Sequence, residues 1–111
     1  MTETELAWAA GFFDGEGSVS IHRDKRPGRK PLIHLDIEQV DIRPLLRFRA
    51  AVGLPGNISL RPARSLNRKP IHRVYMAHAE ASACIARLWP FLSEPKREQI
   101  IAALGQMAAV G

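Results

Sequence analysis

A nearly uninterrupted apolar segment near the N-terminus constrains the fold more than any other part of the chain. It reads Leu6-Ala-Trp-Ala-Ala-Gly-Phe-Phe-Asp-Gly-Glu-Gly-Ser18, and its first half predicts a helix near residues 4–13. A helix that is apolar on every side has to be covered on every side. At about 100° per residue, one stripe of this helix holds Ala7, Ala10, Gly11 and Asp14. Another backbone can approach these small residues, either the same helix of a second subunit across a two-fold axis or a segment of the same chain.

Two carboxylates, Asp14 and Glu16, follow the apolar run in the segment Asp-Gly-Glu-Gly. The glycines predict that this segment ends the helix and turns into a strand. Carboxylates at the end of a buried helix cost free energy unless something compensates them. Oxygen coordination of a divalent cation is one compensation, and hydrogen bonding to exposed helix ends is the other. Two-fold pairing would bring two copies of Glu16 together, which outlines a metal-assisted phosphodiester cleavage site.

The rest of the chain alternates between hairpins and helices. In the segment Leu32–Gln39, Ile33, Leu35 and Ile37 alternate with polar residues, as expected for a strand with one buried face. The other predicted strands are residues 18–22, 57–60 and 71–76. The other predicted helices run from an N-cap at Asp41 to about Val52, over residues 79–89, and from near Pro95 onward. The pattern predicts one α+β domain over residues 1–111, in the order αββαββα with a C-terminal helix. Its antiparallel four-stranded sheet has the helices on one face.

Positive charge is concentrated in two segments that the strand pattern places in hairpin loops. Residues 23–31 carry five basic residues and residues 61–70 carry four, which together are nine of the 16 positive charges. The two segments hold only one of the 11 negative charges, Asp24. Two solvated loops that keep the protein soluble would explain this, but concentration of one sign in two loops favours a nucleic-acid partner.

The sheet face turned away from the helices is the predicted DNA-reading surface. A polar face fringed by basic loops suits a duplex groove, where phosphate contacts position the protein and strand side chains read base edges. An α+β sandwich with one solvated face is the alternative. The residues expected to contact DNA are Ser20, His22, His34, Asp36, Glu38, Arg61, Arg73 and Tyr75 on the strands, and Lys25, Arg26, Arg29, Lys30, Arg64, Arg68 and Lys69 in the loops.

Several classes of protein are disfavoured by the sequence. Cys84 is the only cysteine, and with four histidines it shows no zinc-type spacing. No apolar run reaches the roughly 18 residues of a membrane span, and the acidic N-terminus does not resemble a signal peptide. We therefore expect a cytoplasmic protein without a membrane partner or a small-molecule substrate.

The segment Ala9-Ala-Gly-Phe-Phe-Asp-Gly-Glu-Gly17 resembles the nine-residue motif of the LAGLIDADG homing-endonuclease family. The αββαββα order is similar to that family's fold. The resemblance extends through Gln39-Val-Asp41, Trp89-Pro-Phe-Leu and Lys96-Arg-Glu-Gln99. It implies a homodimer in which the first helices form the interface, with Asp14 as the helix-capping aspartate. It also implies cleavage of both strands of duplex DNA across the minor groove, leaving short 3′ overhangs.

The resemblance also implies roles for three residues of this chain. Glu16 takes the place of the acidic residue that binds Mg²⁺ or Mn²⁺. Gln39 resembles the polar residue that orients active-site water, and Lys96 resembles the basic residue that stabilises transition-state charge near the scissile phosphate. Water is the expected nucleophile.

Three functions are therefore open at the level of sequence. The first is a homodimeric, site-specific DNA endonuclease. The second is a catalytically inactive relative that binds DNA or structured RNA, such as a regulator or a splicing maturase. The third is a structural or protein-binding dimer, which the basic loops disfavour.

Overall fold

The computed structural model describes residues 1–23, 25–63 and 65–110. The elements follow the predicted order, with boundaries that differ by a few residues from those expected. They are α1 (Glu3–Glu16), β1 (Gly17–His22), β2 (Leu32–Gln39), α2 (Arg43–Val52), β3 (Asn57–Arg61), β4 (Ile71–Ala77), α3 (His78–Leu88), a 3-10 turn (Trp89–Phe91) and α4 (Glu94–Val110).

The four strands form one antiparallel sheet in the order β1-β2-β4-β3. Each hairpin pairs its own two strands, and β2 joins β4 in the centre, so that Asp36 lies between Ser18 of β1 and Tyr75 of β4. Ile33, Leu35 and Ile37 of β2 are buried. The period-two pattern in the sequence therefore marks the inner face correctly, and the polar residues between them lie on the outer face.

The helices cover the inner face and close a single core. Phe13 of α1, Phe48 of α2 and Leu88 of α3 are each at most 2% exposed and pack over the buried side of the sheet. No described helix has the length and apolarity needed to cross a membrane.

Helix α2 begins one residue later than predicted. Ile42 is its N-cap, and Asp41 lies one residue further back. The Asp41 carboxylate accepts the backbone N–H of Arg43 at 2.9 Å and also binds the Arg43 guanidinium. Asp41 thus satisfies the first free N–H group from outside the helix, in the manner of an Asx turn. Arg43 holds the pKa of the Asp41 carboxyl down at about 2.

Helix α1 is longer than predicted, because it continues through Gly15 and Glu16 and ends at Gly17. Gly17 is extended, with φ −85° and ψ 152°, and its N–H donates to the carbonyl of Phe13. A glycine is needed there for space, not for its backbone angles. A Cβ on Gly17 would lie 2.2 Å from Cδ2 of the Phe13 ring, and that ring is held in the core.

We expect Gly17→Ala to lower the free energy of unfolding by about 1–3 kcal/mol, since the added methyl overpacks a filled site. Urea unfolding followed by circular dichroism measures the change. Gly105→Ala in α4 is the matched control, because a Cβ at Gly105 has no described atom within 4 Å. Alanine at that helical position should be neutral or stabilising by up to about 1 kcal/mol. Equal stability of Gly17→Ala and wild type would mean that the Phe13 ring moves aside freely.

Candidate active site and nucleic-acid face

Glu16 and Gln39 meet where α1 runs into the sheet. Glu16 is the last residue of α1 and is exposed, while Gln39 is the last residue of β2. Because Gly17 pairs with Ile37, the end of α1 lies beside the end of β2. The side-chain amide of Gln39 donates to Oε2 of Glu16 at 3.2 Å. The structure therefore brings together two of the three residues expected to form the active site.

Lys96, the third expected residue, lies next to this pair but is directed into the protein. It is only 7% exposed. Its Nζ donates to the carbonyl of Gly17 at 3.0 Å and to Oε1 of Gln99 at 3.1 Å. The ammonium also lies 5.4 Å from the centre of the Phe13 ring. These contacts compensate the desolvation of a buried cation, and they fix the peptide that follows Glu16.

Asp14 uses the second of the two compensations considered for the motif carboxylates. Its carboxylate accepts the backbone N–H of Ser93 at 3.1 Å and the Ser93 hydroxyl at 3.0 Å. Ser93 directly precedes α4, so the carboxylate lies at the positive end of that helix. The bond ties the end of α1 to the start of α4 and thereby places Lys96 beside Gly17.

The small residues of α1 leave an open strip on the surface. Ala7, Gly11 and Gly15 are exposed and lie one helical turn apart. A Cβ added at Gly11 or Gly15 finds no described heavy atom within 4 Å. Ala10, however, is 0% exposed, so its expected place in this strip is wrong. It lies on the same side as Phe13, three residues on, and is covered by the chain's own core.

A single chain presents one carboxylate, Glu16, at the surface of this site. Among the described residues no group of three or more His, Cys, Asp or Glu side chains is arranged to hold a metal ion. Carboxylate oxygen is the ligand that Mg²⁺ and Mn²⁺ prefer. The donor chemistry of Glu16 thus fits such an ion, and further oxygen ligands are needed to complete its coordination.

The expected DNA-reading side chains lie on the outer face of the sheet. On β2 and β4 they alternate with buried residues such as Leu35 and Val74. The outward-facing residues are Ser20, His22, His34, Asp36, Glu38, Arg61, Arg73 and Tyr75. The imidazoles of His22 and His34 stack with centroids 5.1 Å apart, and the Tyr75 hydroxyl lies 2.9 Å from Nδ1 of His34. Burial lowers the pKa of His34, and the neighbouring His22 and Arg73 lower it further. The lowered pKa favours the neutral imidazole, which can both donate and accept hydrogen bonds on this face.

The two basic loops lie at opposite ends of the outer face. The loop after β1 joins β2 at Leu32, whereas the loop after β3 joins β4 at Ile71, and β2 and β4 run antiparallel. The exposed basic residues expected in them are Lys25, Arg26, Arg29 and Lys30 in the first loop, and Arg68 and Lys69 in the second. Arg64 lies outside the described residues. The arrangement gives an elongated polar surface with positive charge at both ends.

Solved structures identify this architecture. No protein-family model and no curated protein sequence matches the chain. The homing endonuclease I-CvuI, solved with the I-CreI target in 2 mM Mg with the DNA not cleaved, superposes with a TM-score of 0.68 at 17% identity, over 92% of this chain and 65% of that chain. The group I intron-encoded homing endonuclease I-CeuI, solved with DNA, superposes with a TM-score of 0.65 at 14% identity, over 96% of this chain and 55% of that chain. The chain has the fold of the LAGLIDADG homing endonucleases.

The fold expected from the LAGLIDADG resemblance is thereby confirmed. The chain spans about two thirds of the length of the I-CvuI chain and 55% of the I-CeuI chain. A second I-CvuI complex, with its own target in 2 mM Ca, superposes with a TM-score of 0.65 at 17% identity, over 91% of this chain and 64% of that chain.

Within this LAGLIDADG fold, two residues of the site were missed at the level of sequence. Ser93 anchors Asp14, and Gln99 binds Lys96. The segment Ser93-Glu-Pro95 carried a usable signal, because serine before a first-turn proline is typical of a helix start. Gln99 carried no comparable signal, since only the helical spacing from Lys96 links the two.

Proposed function

We propose that the protein is a homodimeric, site-specific DNA endonuclease that hydrolyses both strands of duplex DNA with Mg²⁺ or Mn²⁺. The observation that carries the proposal is the exposed Glu16 carboxylate, held by Gln39 at the end of a helix whose surface strip is free of side-chain bulk. The fold shared with DNA-bound homing endonucleases supports it.

Pairing of two α1 helices would complete the site. Ala7, Gly11 and Gly15 repeat every four residues, so they form a straight row along which another helix can approach closely. Glu16 lies at the end of this row, and a two-fold axis would place two Glu16 carboxylates near each other. Like charges in proximity raise the affinity for a divalent cation.

The residues of this chain divide the chemistry among them. A bound divalent ion supplies a water of lowered pKa and neutralises developing negative charge on the phosphate. Glu16 would hold the ion, and the Gln39 amide would help to orient the Glu16 carboxylate through its hydrogen bond. The buried charge of Lys96, beside Gly17, favours negative charge at the site. Burial raises the pKa of the Cys84 thiol to about 12, so a cysteine nucleophile plays no part.

The outer sheet face would lie along the major groove, and the basic loops would contact phosphates beyond its two ends. Strand side chains such as His34, Arg73 and Tyr75 present donors and acceptors that can read base edges. The cations of the loops contribute affinity that does not depend on sequence.

A non-catalytic DNA- or RNA-binding protein of the same fold is the second candidate. The burial of Lys96 favours it, because an ammonium bonded to Gly17 and Gln99 has to rearrange before it can contact a phosphate. This candidate predicts tight, salt-dependent binding and no cleaved product.

A library experiment separates the two candidates. The full chain is used to select bound duplexes from a randomised pool in Ca²⁺, and the selected duplexes are then incubated with Mg²⁺ or Mn²⁺. We expect double-strand cleavage at one position in each selected duplex. Binding without cleavage in any divalent ion would establish the non-catalytic candidate.

Replacing Arg29 and Lys30 together by alanine should weaken binding to all duplexes alike. If each cation contacts one phosphate, the proposed homodimer loses four contacts, and the slope of log K against log salt should become shallower by about 3.6, at about 0.9 per contact. Fluorescence anisotropy over a salt series measures this slope. Arg47→Gln is the control, since Arg47 lies on the helical side and pairs with Glu5. A slope unchanged by the double substitution would remove this loop from the interface.

A further inference from the structure

The two acidic residues of the outer sheet face pair with its two arginines. We propose that Asp36 and Glu38 are specificity-determining residues, because each holds a DNA-facing arginine in an ion pair that bound DNA has to replace. The inference rests on the proposed DNA binding and assigns a function to the negative charges of an otherwise basic surface.

Strand geometry places both carboxylates beside the arginines. Asp36 and Glu38 are two residues apart on β2 and therefore share a face. Nε of Arg73 donates to Oδ2 of Asp36 at 3.2 Å. Glu38 reaches over β4 to form an ion pair with Arg61 of β3, although its direct cross-strand neighbour is Arg73. Both arginines of the outer sheet face are thus engaged by the protein itself.

In each ion pair, the groups around the carboxylate position a guanidinium so that it can bind an anion. The Arg73 guanidinium is also positioned over the Tyr75 ring, 4.8 Å from its centre. The Glu38–Arg61 pair borders a depression that is also lined by Arg68 and Lys69. The Glu38 carboxylate thus pairs with Arg61 at a depression lined by two further cations, a position that a DNA phosphate could also take.

Both pairs are open enough to be exchanged. The side chains of Arg61 and Glu38 are 45% and 40% exposed, and those of Arg73 and Asp36 are 40% and 21% exposed. Exposed ion pairs are weak, so a phosphate oxygen or the O6 and N7 atoms of guanine can replace the carboxylate as acceptor.

The free energy of replacing the carboxylate by a DNA acceptor depends on the DNA sequence that the displaced carboxylate then faces. On a matching site the carboxylate can accept from a cytosine amino group. On other sequences it faces phosphate charge without a donor, which opposes binding. Asp36 and Glu38 would then weaken binding to random DNA more than binding to the target.

The test compares random-sequence duplex binding by wild type, Glu38→Gln and Asp36→Asn, each variant retaining side-chain shape. We expect each substitution to tighten binding of the dimer to random duplex by about 10- to 25-fold, the equivalent of one exposed ion pair in each subunit. For Glu38→Gln, the two released copies of Arg61 should also steepen the slope of log K against log salt by about 1.8.

Glu5→Gln is the matched control. It makes the same change in net charge and releases Arg47 from a two-bond ion pair, but on the helical side of the protein. We expect its affinity to stay within about two-fold of wild type, because the charge lies away from the sheet face. Circular dichroism checks that Asp36→Asn stays folded, because Asp36 is partly buried. If Asp36→Asn unfolds, the affinity of Glu38→Gln alone decides the test.

A second measurement tests specificity directly. The ratio of dimer affinities for a duplex selected by wild type and for random duplex should fall by about 10- to 25-fold in Glu38→Gln. Unchanged or weaker binding of random DNA by Glu38→Gln would overturn the inference and leave the proposed DNA binding intact. Equal tightening by Glu5→Gln would attribute the effect to net charge and also overturn it. Failure of wild type to bind any duplex at low salt would overturn the proposed function and this inference together.

Discussion

Glu16→Gln is expected to abolish Mg²⁺-dependent DNA cleavage, with a rate at least about 10³-fold below that of wild type. Glutamine keeps the shape of the side chain and its contact with Gln39, but it removes the charge that would hold the cation. The loss should be larger than for most single ligands, because the two-fold axis removes both copies at once. The cleavage rate of selected duplexes under single-turnover conditions measures the effect.

Binding and stability should stay close to wild type in this variant. Glu16 is exposed at the end of α1, and its one described hydrogen-bond partner is the Gln39 amide. Duplex affinity in Ca²⁺ and urea unfolding test both points. Glu3→Gln is the control, since it removes a carboxylate from the first turn of the same helix and should leave cleavage intact. Undiminished cleavage by Glu16→Gln would exclude Glu16 from the mechanism.

The sheet could be predicted from sequence because its strands carry their own local signal. The period of two in Leu32–Gln39 gave both the boundaries of β2 and its inner face, and that inner face fixes which residues of the neighbouring strands point outward. The strand order β1-β2-β4-β3 was not predicted, because two hairpins can join through either strand of each. A basic loop within each hairpin then had to lie at an end of the sheet.

The contacts around the candidate active site could not be predicted in the same way. Asp14 binds Ser93, and Lys96 binds Gly17, and each pair is separated by 79 residues in the chain. No local periodicity encodes such a pairing. Ala10 illustrates the same limit within one helix. Helical spacing alone places Ala10 on the same stripe as Gly11. The core packs against the side of α1 that carries Ala10, so Ala10 is covered and Gly15 is open.

Gly11→Leu is expected to convert the proposed dimer into monomers, raising the dissociation constant by about 10²-fold or more. Gly11 lies at the middle of the open strip of α1, where a leucine side chain would hold two paired helices apart. The two-fold axis doubles the clash. Light scattering or sedimentation over a concentration series measures the change.

The fold of a single subunit should tolerate leucine at position 11, so a loss of the dimer would not reflect unfolding. A Cβ at Gly11 finds no described atom within 4 Å, and leucine favours a helix over glycine by about 1 kcal/mol. Gly105→Leu is the matched control, because Gly105 of α4 is also exposed with no described atom within 4 Å of an added Cβ. We expect Gly105→Leu to leave the dimer and its cleavage unchanged.

Gly11→Leu and Glu16→Gln should lose cleavage for different physical reasons. The glutamine variant would remain a dimer that binds its whole target, whereas the leucine variant would separate two intact Glu16 carboxylates and bind as a half-site monomer. Mixing the two variants should not restore cleavage, since any pair containing a leucine helix keeps the carboxylates apart. An unchanged dimer in Gly11→Leu would place the interface elsewhere, and the exposed Glu16 would then have no second carboxylate with which to share a cation.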